Sequence, residues 1–228
     1  LMTGLHMGRC RIRKNSSVRG QEHLFASDLT IAEVLKKAGY ATGMVGKWGI
    51  GLPDTEGTPD KKGFDLAFGF YDQGRAHTYY PHYLYHNSEP IPIPENYGFD
   101  MEATYRHTRT PAGLHIYDDE GQLIPHGVAD PKQAKNSEDL CYQKAIDFID
   151  QHHQQPFFLY YATQLPHGPC ITPNLGQFKD RLWSQKHKEW ASMITHLDRH
   201  VGGLLDRLCQ YEILDNTLII CIGIRHSK

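Results

Sequence analysis

Two side chains that could bind an anion or donate a proton to it follow short apolar runs of the chain. Lys47 comes directly after Ala41–Val45 and Gly46, and His167 lies on a Pro-His-Gly-Pro turn after Phe157–Ala162. A lysine ammonium carries three donors and suits an oxygen of phosphate, sulfate or carboxylate, and an imidazole can act as the general acid that protonates a leaving group. Taken singly, each residue is more simply explained as a solvated surface side chain.

The Gly-Lys pair at positions 46 and 47 does not match a phosphate-binding loop. Such a loop requires a glycine where this chain has Ala41, and a serine or threonine where it has Trp48. A third candidate for chemistry is His77, which lies in an aromatic run of the chain. Packing against Tyr79 or Tyr80 is the simpler explanation for that histidine.

The helices that must hold these residues can be located from periodicity and caps. Thr30–Ala38 is predicted as a helix, because its apolar residues recur at threes and fours, Thr30 begins a capping box and Gly39 ends the pattern. A second helix is predicted over Ser137–His153, capped by Asn136 or by its own first residue. A third helix has the longest apolar stripe of the chain: Trp190, Met193, Ile194, Leu197, Val201, Leu204, Leu205 and Leu208.

The strands predicted between and after these helices are uniformly apolar instead of alternating. They are Ala41–Val45, Phe157–Ala162 and Thr217–Ile222. Such strands, alternating with helices, are typical of a parallel sheet that is covered by helices on both faces. We therefore predict an α/β fold with a mostly parallel sheet, and we expect Lys47 and His167 at the carboxyl ends of its strands, where ligands collect in sheets of this kind.

Residues Phe64–Gln133 show no helical periodicity of apolar residues and are rich in tyrosine, histidine and proline. Two hairpin turns are predicted here, Asn87-Ser88 and Asp118–Gly121, each between short apolar or aromatic runs. Loops this long in a compact domain are usually functional or disordered, and the aromatic content argues against disorder. We interpret the region as a long loop and hairpin insertion that covers a pocket.

The composition disfavours several classes of partner. The 228 residues have a formal charge of −2, from 24 basic and 26 acidic side chains spread along the chain, without the basic concentration of a nucleic-acid reader or a polybasic membrane anchor. No apolar stretch is long enough for a transmembrane helix, and the first residues lack the pattern of a signal peptide. We expect no nucleic acid and no membrane among the partners, and 39% hydrophobic residues suffice for a core.

Cysteine and histidine are the residues that could bind zinc or a related metal ion. The five cysteines lie far apart, without a C-x-x-C pair or a zinc-type spacing to histidine. His196 and His200 have the i, i+4 spacing of a metal pair on a helix, but the apolar stripe of that helix places them on its wetter side, and no H-E-x-x-H motif is present. We predict no metal ligands in this chain.

Several of these segments together resemble the sulfatase family, over nearly the whole chain. Leu1–Gly4 resembles the end of the family's nucleophile motif, C-x-P-S-R-x-x-L-[LM]-T-G, and Gly39–Lys47 resembles its second motif, G-Y-x-T-x-x-x-G-K-W-H. A single match would carry little weight, whereas an ordered series is specific. The other similar segments follow in the family's order: Gly63–Asp65, Ala76–Pro81, Phe157–Leu159 with Pro166-His167, Leu197–Gly202 and Asp215–Thr217.

The resemblance implies an arylsulfatase-like hydrolase of sulfate esters, on the large α/β sheet of the alkaline-phosphatase-like superfamily. Members work with calcium and with a cysteine converted to formylglycine, whose hydrated aldehyde attacks sulfur. Lys47 matches the lysine that neutralises sulfate and aldehyde oxygens, and His167 matches the histidine that donates to the departing alcohol, so both are predicted to be catalytic. His77 and Gln73 are expected near the sulfate or the leaving group, as substrate-binding residues.

The chain also departs from the family pattern. Gly49 stands where many members carry the histidine of G-K-W-H, so one hydrogen-bond donor is absent or is supplied elsewhere. The cysteine and arginine of the nucleophile motif are not in these residues, and Cys10 lacks their context. Ile224 and Arg225 occupy the positions of a calcium-ligating D-N-G turn and cannot supply oxygen ligands. We therefore expect residues 1–228 to be a partial sulfatase-like catalytic domain, without the start and the carboxyl-terminal part of that domain, and inactive by itself.

Two other functions remain open. A non-catalytic protein could keep the fold and bind a sulfated ligand or a partner chain through Lys47, His77 and His167. An in-frame C-x-P-S-R motif upstream in the gene would favour the enzyme. A phosphate-ester hydrolase of the same superfamily is disfavoured by the second motif.

The resemblance also implies partners and a location. The expected substrate is a sulfate ester, such as a sulfated carbohydrate, and the intact protein would need the formylglycine-generating enzyme. The family suggests a periplasmic, secreted or lysosomal location, although no signal-peptide pattern is present in these residues.

Overall fold

The fold is built on a mixed sheet with helices on both faces. The computed structural model describes residues 1–6, 8–13, 22–99, 117–125 and 127–223. No helix in the part of the chain that the structure describes is long and apolar enough to cross a membrane. The helices are α1 (Ile31–Lys37), α2 (Ser137–His152) and α3 (Gln185–Gln210), and the strands are β1 (Ala41–Lys47), β2 (Leu66–Phe70), β3 (Tyr83–His86), β4 (Glu89–Pro92) and β5 (Phe157–Ala162).

The strand order is β4-β3-β2-β1-β5. Strand β1 runs parallel to β2 on one side and to β5 on the other, while β3 and β4 form an antiparallel hairpin beside β2. The predicted α/β fold is confirmed, with three parallel strands extended by the hairpin. Lys47 is paired with Phe70 and Gly46 with Ala162, so the carboxyl ends of β1, β2 and β5 lie side by side.

Two glycines allow the three parallel strands to approach each other at these ends. Gly46 has φ of +111° and Gly69 has φ of +136°, a region that other residues rarely adopt. A β-carbon at Gly46 would collide with the backbone carbonyl of Ala162, and one at Gly69 would collide with the carbonyl of Gly46. The backbone that carries Lys47 therefore depends on glycine in both strands.

Successive residues of β1 pack against different helices, as a strand covered on both faces requires. Met44 belongs to the buried cluster that contains Ala32 of α1. Val45 belongs to the cluster that contains Cys141 of α2. On the side of α2, a β-carbon at Gly43 would come within 3.0 Å of the ring of Phe148, which shows how closely that helix lies on the sheet.

Helix α1 begins as predicted, but its apolar stripe is not buried. The Thr30 side chain accepts from the backbone N–H of Glu33, and the Glu33 carboxylate accepts from the backbone of Thr30, which confirms the capping box. Ile31 and Val34 are nevertheless 43% and 49% exposed, and Ala32 is the buried residue of the helix. The described elements cover only a narrow strip of this helix.

Helices α2 and α3 pack on each other, and this contact changes the interpretation of α3. The stripe residue Ile194 is 50% exposed, whereas His196 and His200 are 4% and 5% exposed. The prediction that the two histidines lie on the wetter side of the helix is wrong. Both rings contact Asp139 in the first turn of α2, so the polar strip of α3 that carries them faces α2, as does Leu204 of the predicted apolar stripe.

Residues 217–222 do not form the predicted strand. Leu218, Ile220 and Ile222 are 85%, 70% and 61% exposed, and β5 is the last strand on its side of the described sheet. An apolar run becomes a strand only where another strand satisfies its backbone. Strand β2, by contrast, is not predicted from the sequence. No helical pattern precedes it, and it lies at the start of the region that is interpreted as loops.

Both predicted hairpin turns are confirmed. Asn87 and Ser88, with φ of 48° and 71°, join β3 to β4. Tyr117 and Leu123 form an antiparallel bridge around the second turn, and the side chain of Asp118 accepts from the backbone N–H of Gln122 at 2.8 Å. Residues 100–116 and 126 of this region lie outside the described residues.

Candidate active site

Lys47 is the last residue of β1 and is half-buried. Removal from water lowers the pKa of Lys47, and the carboxylate of Asp72 opposes this by raising it. A partly desolvated ammonium interacts more strongly with an anion than a fully hydrated one does. Lys47 therefore has the environment of a ligand-binding cation and differs from an ordinary surface lysine.

The turn after β2 brings Asp72, Gln73 and His77 to the same edge of the sheet. Its last part is a short 3-10 helix, Arg75–His77. The Asp72 carboxylate accepts from the backbone N–H of Arg75 at 2.6 Å, and the Arg75 guanidinium lies over the ring of Tyr83 at 3.4 Å from its centroid. These contacts fix the turn beside Lys47.

His167 follows β5 and reaches the residues that follow β2. Its ring stacks on that of His77, with centroids 4.6 Å apart and ring planes at 10°. The Tyr79 hydroxyl donates to the backbone carbonyl of His167 at 2.7 Å. Nδ1 of His167 lies 2.6 Å from the carbonyl oxygen of Gly168, so Nδ1 carries a proton and Nε2 is the ring nitrogen suited to proton exchange with a ligand.

The amino-terminal end of α2 supports the His167 turn. Glu138 is fully buried; its carboxylate accepts from the Thr163 hydroxyl and from the backbone N–H of Gln164. Burial raises the pKa of Glu138, and the two hydrogen bonds oppose that rise. The backbone N–H of Ser137 also donates to the carbonyl of Tyr79 at 2.8 Å, so one helix end holds both the histidine turn and the tyrosine beneath it.

The pKa of His77 depends on both Lys47 and His167. Its pKa is lowered first by burial, then by the positive charge of Lys47 and by His167, while Asp72 acts in the opposite direction. Lys47 ends β1, while His77 and His167 lie in the turns that follow β2 and β5. Ring stacking joins the two histidines, and the charge of Lys47 acts on the pKa of His77.

Gln73 lies beside Gly49, the position at which the chain departs from the family motif. The Gln73 amide donates to the carbonyl of Gly49 at 3.4 Å. Gly49 has φ of +75°, and a β-carbon there would lie 3.3 Å from Cγ of Gln73. A histidine at position 49 would be strained and crowded, and the Gln73 amide is the candidate donor in its place.

Asp72 and Glu138 are site residues that the sequence-based prediction misses. Asp72 could have been found if Leu66–Phe70 had been identified as a parallel strand, because the turn after such a strand lies at the ligand edge. Glu138 has no comparable signal. It follows a helix cap, where an acidic residue is common, and only the tertiary structure shows that it is buried.

Calcium, which the family resemblance implies, does not fit the described residues. Ile224 and Arg225, at the expected ligand positions, lie outside them. One group of three metal-ligating side chains converges within the described ranges, namely Asp139, His196 and His200. Calcium takes six to eight oxygen ligands, and this group offers two imidazole nitrogens, so we assign no step to calcium.

Comparison with known proteins identifies the family. The sulfatase family model matches residues 1–223. An arylsulfatase from Hemicentrotus pulcherrimus is 28% identical over 202 residues, which cover 86% of this chain and 31% of that protein. An N-acetylgalactosamine-6-O-sulfatase from Bacteroides thetaiotaomicron is 27% identical, with 96% and 47% covered, and the N-acetylgalactosamine-6-sulfatase of Homo sapiens is 29% identical, with 85% and 31% covered. The chain thus spans less than half the length of each of these relatives.

Solved structures support the same assignment. The crystal structure of Ps i-CgsB is 26% identical, with a TM-score of 0.59 over 89% of this chain and 41% of that one. The same protein in complex with k-i-k-neocarrahexaose gives a TM-score of 0.57. A structure from work on glycosaminoglycan metabolism by Bacteroides thetaiotaomicron has a TM-score of 0.62 over 95% of this chain and 49% of that one, and at 23% identity it shows the fold alone. Because the family model spans nearly the whole chain and the strand ends carry the residues of its motifs, this chain belongs to the sulfatase family, whose members hydrolyse sulfate esters.

Proposed function

We propose that Lys47, His77 and His167 form the part of a sulfatase active site that binds the sulfate group and protonates the leaving alcohol. One observation carries the proposal. Lys47 ends β1, and His77 and His167, which follow the two neighbouring strands, stack with centroids 4.6 Å apart, while the charge of Lys47 lowers the pKa of His77. Such a cationic, partly dry edge suits an anionic ester.

In this scheme each side chain of the site has a separate role. Lys47 neutralises a sulfate oxygen, and His77 supplies a second donor to the anion. When a nucleophile attacks sulfur, the bond between sulfur and the ester oxygen breaks, and that oxygen takes the proton from Nε2 of His167, which leaves a neutral imidazole. Gln73 lies beside Gly49, two residues after Lys47, and its amide is a further candidate donor to the anion or to the leaving group.

The nucleophile of the family, a hydrated formylglycine, would supply the attacking oxygen. None of the five cysteines in these residues stands in a C-x-P-S-R motif, and we assign no step to any of them. We therefore propose that the 228-residue chain by itself binds sulfate without hydrolysing its esters. The non-catalytic alternative shares the binding step with the enzyme and differs only in the absence of turnover in the intact protein.

For the substrate of the intact protein we propose a sulfated carbohydrate. The support is the naming of two relatives as N-acetylgalactosamine-6-sulfatases. The identity of the sugar depends on residues outside the site described above.

The binding proposal can be tested by titrating the chain with sodium sulfate in a calorimeter. Replacing Lys47 by alanine removes a charge-assisted hydrogen bond of about 1.5–3 kcal/mol, so sulfate affinity should fall about 10- to 100-fold. Lys37→Ala is the matched control, because Lys37 is exposed near the end of α1. Sulfate binding that is equal in Lys47→Ala and in the parent chain would contradict the proposal, as would no binding by the parent chain.

A further inference from the structure

A second cluster of ligating side chains lies between α2 and α3. Asp139 comes from the first turn of α2, and His196 and His200 come from successive turns of α3. Nε2 of His196 is 2.7 Å and Nε2 of His200 is 3.2 Å from the same carboxylate oxygen, Oδ1 of Asp139. The three ligand atoms all lie within 4.8 Å of one another, so three side chains from two helices point to one place.

Hydrogen bonding to Asp139 leaves one ring nitrogen of this cluster unpaired. A neutral imidazole carries one N–H, so both rings must place their proton on Nε2 to donate to one carboxylate oxygen. That choice leaves Nδ1 of each ring as an acceptor. Nδ1 of His200 lies 3.2 Å from the Tyr161 hydroxyl, but Nδ1 of His196 is buried without a hydrogen-bond partner among the described residues, which costs stability.

The ligand types and distances suit a zinc-type ion. Ligands about 2.0–2.1 Å from a tetrahedral Zn²⁺ lie about 3.3 Å from one another; the two imidazoles are 2.7 and 3.2 Å from the carboxylate oxygen, and all three ligand atoms lie within 4.8 Å of one another. With a metal on Nε2, each imidazole carries its proton on Nδ1. The proton of His200 can then be donated to the Tyr161 hydroxyl, while Nδ1 of His196 has no acceptor among the described residues. Two imidazoles and one carboxylate are ligands that zinc prefers, whereas calcium and magnesium prefer oxygen alone.

The surroundings allow a metal ion to enter and hold the rings in place. The Asp139 side chain is 53% exposed, while both imidazoles are nearly fully buried, so an ion would meet solvent on one side and protein on the other. Tyr142 stacks on His200 with centroids 4.5 Å apart and planes at 3°. The cavity at the cluster is also lined by Arg199, but that guanidinium is exposed, where water and salt screen its repulsion of a cation.

We propose that Asp139, His196 and His200 bind a divalent transition-metal ion, with Zn²⁺ the best fit, and that this ion ties α2 to α3. A water molecule would complete the four-coordinate shell on the exposed side. The ion would join two helices, and none of its ligands is among the residues proposed to bind sulfate. Because Glu138 next to Asp139 holds Thr163 and Gln164, a metal at this helix end also stabilises the support of the His167 turn.

The experiment is a titration of the chelator-treated chain with Zn²⁺, with metal content measured by mass spectrometry and unfolding followed by circular dichroism. We expect a single Zn²⁺ per chain and a higher Tm. His196→Gln and His200→Gln should each weaken zinc binding by more than the roughly 10- to 100-fold that loss of an outer-shell partner costs. His187→Gln is the matched control, since His187 is an exposed histidine of the same helix.

A third variant and a competition experiment with Ca²⁺ complete the test of the metal site. Asp139→Asn changes an exposed carboxylate at nearly constant size, so it tests the site if a buried histidine variant fails to fold. An excess of Ca²⁺ should leave bound Zn²⁺ in place. The proposal is overturned if the chain takes up no Zn²⁺, if Asp139→Asn keeps the parent affinity, if His187→Gln loses as much affinity as His196→Gln, or if Ca²⁺ displaces the ion.

Discussion

At the scale of single residues, the coupling between Lys47 and His77 defines the candidate site. Burial and the positive charge of Lys47 both keep His77 neutral. An anion bound between them would cancel the second effect and favour the protonated imidazole. We therefore expect His77 to take up a proton when an anion binds beside Lys47.

Replacing Lys47 by methionine should raise the pKa of His77 toward its ordinary value. The rise should be partial, because burial, the larger cause, remains. The unfolded chain binds more protons at this histidine than the folded chain, so the parent chain loses stability as pH falls below about 6.5, and the variant should lose less. The measurement is an NMR pH titration of the His77 ring, with Lys37→Met as the control. An unchanged or lower pKa in Lys47→Met would refute the coupling.

How far single residues could be predicted depended on their place in the strand pattern. Lys47 and His167 could be identified because each follows an apolar run, and His77 and Gln73 because of the family motifs. Asp72 and Glu138 could not, since their roles arise from the end of an unrecognised strand and from burial. The position of His196 and His200 outside the apolar stripe of α3 can be read from the sequence. Their burial cannot, because it comes from contact with α2, which is distant in sequence.

At the scale of elements, the site depends on how closely β1, β2 and β5 pack at their carboxyl ends. Gly46→Ala should destabilise the chain by about 3 kcal/mol or more. The alanine would have to adopt a positive φ, and its methyl group would collide with the carbonyl of Ala162. Chemical denaturation gives this change in the free energy of unfolding.

The control for Gly46→Ala is a glycine that needs no special conformation. Gly202 lies inside α3, and a β-carbon there would meet nothing within 4 Å. Gly202→Ala should therefore stabilise the chain by about 0.5–1 kcal/mol. Equal effects of the two substitutions would show that the strand contact at Gly46 is not as close as the structure has it.

The elements that the sequence predicts well are those with local signals. Helix α1 has a capping box and α2 has a periodic stripe, and strands β1 and β5 are the short apolar runs that follow these two helices. Residues 217–222 are apolar like β5, but no partner strand lies beside them among the described residues, so they form no sheet hydrogen bonds there. Pairing is a non-local property, and composition alone cannot supply it.

At the scale of the whole molecule, the chain contains one coherent part of a sulfatase. The family model spans residues 1–223, while the chain covers only 31–47% of the curated relatives compared above. The residues proposed to bind sulfate and to protonate the leaving group follow neighbouring strands of one sheet. A nucleophile motif is not among the 228 residues.

The 228-residue chain should release no sulfate above background from an arylsulfate ester, even with calcium present. The physical reason is that binding and acid catalysis without an activated nucleophile leave the attack on sulfur uncatalysed. The measurement is a sulfate-release assay, with Lys47→Ala assayed in parallel. Turnover that Lys47→Ala abolishes would overturn the proposed inactivity and would assign a nucleophile to this chain.

The central claim is that Lys47, His77 and His167 bind one sulfate group. The most direct test follows the imidazole resonances of His77 and His167 by NMR while sodium sulfate is added. The account predicts that both rings respond with one common affinity, that the pKa of His77 rises when sulfate is bound, and that Lys47→Ala weakens both responses together. If sulfate leaves the two rings unaffected, or if they respond equally in Lys47→Ala, the three residues do not form a sulfate site.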